Sequence, residues 1–224
     1  MSANLIPILW ESTLQTLYMV ALSTLLGTLI GAPLGIFLAT SRRGELLSSP
    51  VLNTVLGLVV NAARSTPFII LVVAIIPLTR LIAGTSIGTT AAIVPLTIAS
   101  APFIARLIET AIREVDAGLI EAARAMGAAP FQIVRKVLIP EAMPGIILGL
   151  TLAVVSLIGY SAMVGAVGGG GLGDLGIRYG YQRFMPEVML AVVVILILLV
   201  QAVQSCGEWI ASRFDKRAPR NRGR

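Results

Sequence analysis

The chain has 224 residues, of which 56% are hydrophobic and 12% charged, and its mean hydropathy is +0.91. A soluble domain has roughly a quarter of its residues charged, so this composition excludes one and implies an integral membrane protein. The net charge of +6 sits in short connections and a C-terminal tail, which fits a topology signal better than a nucleic-acid surface, while one cysteine and no histidine argue against disulfide, zinc or imidazole chemistry.

The first 41 residues contain no Lys or Arg. The apolar run Leu14 to Thr40 exceeds the about 7–15 residues of a signal-peptide core, so it is expected to be a retained first span. Gly27, Gly31 and Gly35 lie four apart on one face of it, a pattern that lets a neighbouring helix approach closely, and Pro33 should bend it. Next, Val51 to Arg64 is expected to be an interfacial helix with Asn53, Asn61 and Arg64 as polar positions, which would keep Arg64 out of the lipid core. Ser65-Thr66-Pro67 offers a cap and a proline at the first helical position, so a second span is predicted over Pro67 to Ile82. A third runs from Ile87 to Ile108. Further spans are expected at Gly145 to Val167 and Val188 to Ile210, each near the about 20 residues that cross the hydrocarbon core. The last has almost no small or polar face and is expected to be peripheral and lipid-exposed.

Five spans with the N-terminus outside put Arg42, Arg43, Arg113, Arg124, Arg135, Lys136 and the tail from Arg213 in the cytoplasm, leaving only Arg80, Arg178 and Arg183 outside. The expected organisation is therefore an all-α integral membrane protein, N-out and C-in. Residues 1–212 would form the transmembrane domain and 213–224 a basic cytoplasmic tail lying against anionic lipid.

Between the third and fourth spans, residues from about 113 to 142 form a polar helical insert. Asp116 can cap a short helix, Gly127 can end it in a left-handed conformation, and Pro130 suits the start of a second short helix running toward Val137. Ala122 and Ala123 keep one face small, Met126, Phe131 and Ile133 supply apolar anchors, and Glu121 adds a charge. That is the chemistry of a helix docking in a partner's groove, without a catalytic group.

In the fourth span, Tyr160, Ser161 and Met163 interrupt the aliphatic run. Tyr160 and Met163 are three apart and could line a narrow passage for a small, partly apolar solute, or could serve interhelical packing. The run Gly168 to Gly173 contains a G-x-G-x-x-G spacing, but no strand precedes it and no G-K-[ST] follows, so an external loop is expected rather than a nucleotide site. All 11 acidic residues fall at the ends of spans or in loops. An ion-driven carrier typically places an acid at membrane depth, so an external energy source is favoured over a secondary carrier or channel, although backbone carbonyls can also hold sodium. Ser156 and Ser161 have no acid nearby in sequence, which disfavours an intramembrane enzyme.

Glu121-Ala122-Ala123, three residues, Gly127, nine residues and Val137-Leu138-Ile139-Pro140 together resemble the cytoplasmic loop of bacterial ABC importer permeases, whose pattern is E-A-A, three residues, G, nine residues, I-x-L-P. Over nearly its whole length the chain is also similar to the permeases of methionine importers. Arg64-Ser65-Thr66-Pro67-Phe68-Ile69-Ile70, Ala101-Pro102-Phe103-Ile104-Ala105-Arg106 and Gly159-Tyr160-Ser161-Ala162-Met163 are among the runs behind that similarity. It differs in its richer glycine run, in Val164 and in its more basic tail. The resemblance implies a type I ABC importer permease fold, two copies of this subunit around a central pathway, two ATPase subunits that bind ATP and Mg, and an extracytoplasmic substrate-binding protein. It also implies the bacterial inner membrane as location, and methionine, both enantiomers or close derivatives, as solute; another small amino acid or polar solute is the alternative. Glu121, Ala122, Ala123, Met126, Gly127, Phe131, Val137 and Pro140 would couple to the ATPase. No cofactor is expected in this chain.

Overall fold

A computed structural model describes residues 5–42 and 45–214; most of the basic tail lies outside them. Among the described residues the secondary structure is entirely helical, and four helices or helical runs are long and apolar enough to cross a membrane. The first is α1 (Leu5–Thr40). Its 36 residues make a rod of about 54 Å, longer than a hydrocarbon core of about 30 Å, so it begins nine residues before the expected span and projects from the bilayer. It packs along α5 (Thr89–Arg113).

The expected glycine face is what makes that contact. A Cβ on Gly31 would lie 2.5 Å from the Ala101 carbonyl oxygen, and one on Gly35 2.4 Å from that of Ala105. At Gly27 it would meet the Ser100 hydroxyl at 2.1 Å. Three glycines on α1 thus face small residues on α5, and close backbone packing replaces the hydrophobic drive that lipid does not provide.

The second span is where the structure departs most from the sequence reading. A helix does cover the segment before Pro67, as α2 (Pro50–Ser65), but it does not lie along the surface. The Asn53 amide donates to the Leu38 carbonyl at 2.9 Å, fixing the start of α2 beside the end of α1. Near its other end, Ala63 and Arg64 line a cavity with Ala99 and Phe103 from the middle of α5. The helix therefore climbs inward, and Arg64 is brought to the depth it was expected to avoid. A 100° bend follows. Pro67 is the N-cap residue of α3 (Phe68–Ala74) rather than its first helical position, because Ser65 is still in α2 and Thr66 is extended. The predicted continuous span is broken again at Ile75, before α4 (Ile76–Ala83), which ends at left-handed Gly84.

After α5 come α6 (Ala117–Ala125) and α7 (Pro130–Ile133). The second short helix of the insert is not separate from the next span. A π-helical turn, Val134–Leu138, joins α7 to α8 (Ile139–Ala166), making one helical run of 37 residues. The glycine run turns at residues 168–170 and continues as α9 (Gly171–Leu175) and a second π-helical stretch, Gly176–Tyr181. Gly171 N–H donates to the Gln15 side chain and Leu172 N–H to the Thr16 hydroxyl, both at 2.9 Å, which ties this corner to α1. Finally α10 (Pro186–Phe214) packs through Gly207 against Thr151 of α8, with Leu190, Ile197 and Leu198 turned outward as expected of a peripheral span. It runs two residues past the boundary placed at 212.

Candidate functional site: a helical knuckle and a mid-helix cavity

The insert is shaped by its local sequence. Asp116 accepts a hydrogen bond from Gly118 N–H at 2.7 Å, occupying an otherwise unpaired donor of the first turn of α6. Gly127 has φ = 80°, a conformation that opens the turn toward α7 and that side chains with a Cβ rarely adopt. At the start of α7 the Gln132 side chain accepts from Ala129 N–H at 3.1 Å. A tight corner results.

Its faces are clearly divided. Met126 is 81% exposed and Phe131 68%, and Glu121, Ala122 and Gly127 are exposed too. Two aliphatic or aromatic side chains held that far out at a rigid corner are suited to a groove on another protein. Ala123, by contrast, is 4% exposed and belongs to a core with Ile112, Ile133, Val134 and Leu138. Ile133 is equally buried, and Val137 packs against the same core. Ala123, Ile133 and Val137 thus hold the corner together rather than meeting a partner. Pro140 lies within the continuous run, directly after the π-helical turn, where it has no backbone N–H to donate to the preceding turn.

Behind the knuckle lies a charge cluster that the sequence reading passed over. Glu109 of α5 is buried, and its carboxylate is bound by Arg106 and, at 2.8 Å, by Arg113. Arg42 stands 3.8 Å away. Arg106 also donates to the Asn61 side chain of α2 at 2.6 Å, and Arg113 to the Leu38 carbonyl of α1 at 3.0 Å. One carboxylate therefore gathers guanidiniums that reach three helices. Arg106 and Arg113, at three before and four after Glu109, were the available sequence signal. Because α5 extends to Arg113, Glu109 lies inside a helix and not beyond its end as expected.

The three candidate pathway residues separate. Tyr160 stacks on Phe68 of α3, with ring centroids 4.4 Å apart and planes inclined by 12°. Both rings line a cavity of about 150 Å³ together with Arg64, Thr66, Ala99 and Phe103. Met163 is 47% exposed on the same helix. Ser161 is 2% exposed and donates to the Ile158 carbonyl of its own helix at 2.7 Å, so it faces the core and not a passage. Among the described residues no three His, Cys, Asp or Glu side chains come together as a metal site.

Broken and continuous apolar helices, an exposed insert between two spans and a cavity halfway through the bundle define a membrane transport subunit. Residues 31–218 match the family described as the binding-protein-dependent transport system inner membrane component, and the chain belongs to that family. It is 56% identical over 210 residues to the probable D-methionine transport system permease protein MetI of Vibrio cholerae, covering 94% of this chain and 93% of that one. Identity to the methionine import system permease protein MetP of Bacillus subtilis is 44% over 209 residues, covering 93% and 94%. A solved inward-facing conformation of the MetNI methionine ABC transporter contains a chain that superposes with a TM-score of 0.94 at 48% identity, covering 96% of this chain and all of that one. An amino acid ABC transporter superposes with a TM-score of 0.78 at 22% identity, a likeness of fold.

Proposed function

We propose that this subunit forms the membrane pathway of an ATP-driven importer that moves methionine into the bacterial cytoplasm. The observation that carries the coupling half of this reading is the knuckle, where Met126 and Phe131 project from a corner fixed by Asp116 and Gly127. It docks into an ATPase subunit that binds ATP and Mg, with Glu121 and Ala122 alongside. Two copies of this chain enclose the route, two ATPase subunits lie below, and an extracytoplasmic binding protein delivers the solute above. The orientation is N-out and C-in, which puts the knuckle and the Glu109 cluster in the cytoplasm and the Gly168 corner outside.

Methionine as the solute is supported by the similarity over nearly the whole chain to methionine permeases and by an aromatic cavity at Tyr160. ATP-driven closure of the two ATPase subunits draws the knuckles together and rocks the bundles from inward to outward access; their separation after hydrolysis resets them. The test is ATP-dependent uptake of labelled methionine by liposomes containing this subunit, its ATPase and its binding protein. Uptake by the wild type that is lost with Glu121→Lys supports coupling through the knuckle. ATP-driven flux of another amino acid in place of methionine overturns the solute and keeps the importer. Solute-independent failure of ATP to drive any flux favours the carrier or channel.

A further inference from the structure

We infer that Arg64, set at the elbow between α2 and α3, grips the α-carboxylate of the amino acid in transit, with the Phe68–Tyr160 stack receiving its side chain. The inference rests on reading the protein as an amino-acid importer and names the contact that reading lacks.

Depth is the first argument. The cavity meets α5 at Ala99 and Phe103, about 15 Å and 21 Å from the start of a helix about 37 Å long, so it lies midway across the span. Arg64 is exposed on the wall of this cavity, and an exposed arginine at such depth is costly in lipid unless it faces a water-filled route or a partner. The second argument is that Arg64 has none: Arg42, Arg106, Arg113 and Arg178 are ion-paired, whereas Arg64 has neither an ion pair nor a side-chain hydrogen bond among the described residues. The neighbouring Asn61 is already engaged by Arg106.

Chemistry and size supply the third. The cavity has a single charge, positive, and the rest of its wall is largely apolar: Phe68, Ala99, Phe103 and Tyr160. A planar guanidinium binds a carboxylate through paired hydrogen bonds, and the aromatic faces suit a short apolar or thioether chain. At about 150 Å³ the cavity is on the scale of one small ligand and well below the roughly 300–1,000 Å³ of a pocket for a large one. Unlike the knuckle, this site is assembled across a break, so straightening or deepening the 100° elbow moves Arg64 relative to the aromatic stack and releases the ligand.

The experiment is equilibrium binding of labelled methionine to the subunit–ATPase complex in nanodiscs without the binding protein, with methioninol, in which a hydroxymethyl group replaces the carboxylate, as the comparison ligand. The wild type is expected to bind methionine at least tenfold more tightly than methioninol. Arg64→Gln should weaken methionine binding by about ten- to hundredfold and leave methioninol unchanged, with Arg64→Lys between the two. Equal affinities for the two ligands, no binding of methionine at millimolar concentration, or unchanged binding in Arg64→Gln each overturn the inference. The ligand comparison needs no variant, so a failure of Arg64→Gln to assemble leaves the test intact. Uptake of methionine by the wild type without any carboxylate preference overturns the Arg64 site alone. A carboxylate preference without uptake overturns the importer reading and retains the site.

Discussion

At the residue scale, two kinds of close contact hold the bundle together and respond differently to substitution. Gly27 is opposed by a removable group, the Ser100 hydroxyl, while Gly31 is opposed by a backbone carbonyl. Gly31→Ala is therefore expected to destabilise by about 1–3 kcal/mol with no rescue by side-chain changes on α5, whereas Gly27→Ala should recover most of its loss when combined with Ser100→Ala. Thermal unfolding of the detergent-solubilised subunit checks both, and an additive Gly27–Ser100 pair would show that the clash is relieved by helix movement instead. Glu109 presents the other case. Its removal leaves Arg106 and Arg113 facing each other, and since those side chains are only a quarter exposed, Glu109→Gln should cost about 3 kcal/mol, the low end for breaking a buried pair. A change below about 0.5 kcal/mol in the same assay would assign the cluster to surface screening. The glycine spacing could be read from the sequence because small-xxx-small contacts repeat every four residues. Glu109 was missed because a count of charges by region treats a paired and an unpaired carboxylate alike.

At the scale of elements, the insert was legible almost to the residue at its caps. Asp116, Gly127 and Pro130 are local signals whose conformational preferences act within one turn, and tertiary packing does not override them. The face that each residue presents was not legible. Ala122 and Ala123 are adjacent and chemically identical, yet only the second is buried, because helix phase against Ile112 and Ile133 decides it. Two expectations follow for α6. Gly127→Pro should abolish ATP-dependent uptake, since proline cannot reach φ = 80°, and should leave membrane insertion intact. Asp116→Ala, which loses one cap worth about 1 kcal/mol, should reduce coupling only partially. Co-purification of the ATPase with each variant is the readout, and full ATPase retention with full uptake in Gly127→Pro would remove the knuckle from the coupling scheme.

Taken as a whole molecule, the bundle follows its hydropathy closely in four places and departs in one. The uninterrupted spans were readable because long apolar runs have one solution in lipid, a continuous helix. The stretch 50–83 is equally apolar but is cut at Thr66 and Ile75, and composition cannot say whether such a stretch crosses, lies flat or bends. Only its contacts with α1 and α5 settle the path. The proposed orientation has a direct check: with Cys206→Ser as background, a cysteine at Met126 should react with a membrane-impermeant maleimide in inverted vesicles and not in intact cells. Labelling in intact cells would reverse the topology and move the knuckle to the wrong side of the membrane for an ATPase.

The π-helical turn at Val134–Leu138 makes the knuckle and the helix bearing Tyr160 one continuous helical run. It rests on α5 where Gly145 and Gly149 abut Ala111 and Leu107, a natural fulcrum. From Phe131 to Gly145 is about 21 Å along the axis, and from Gly149 to Tyr160 about 17 Å, so the two arms are nearly equal. Moving as one piece, the run would carry a sideways push on the cytoplasmic end to the aromatic stack reversed in sense and reduced by about a fifth, and the π-turn with Pro140 and Pro144 is where that stroke would be taken up by bending.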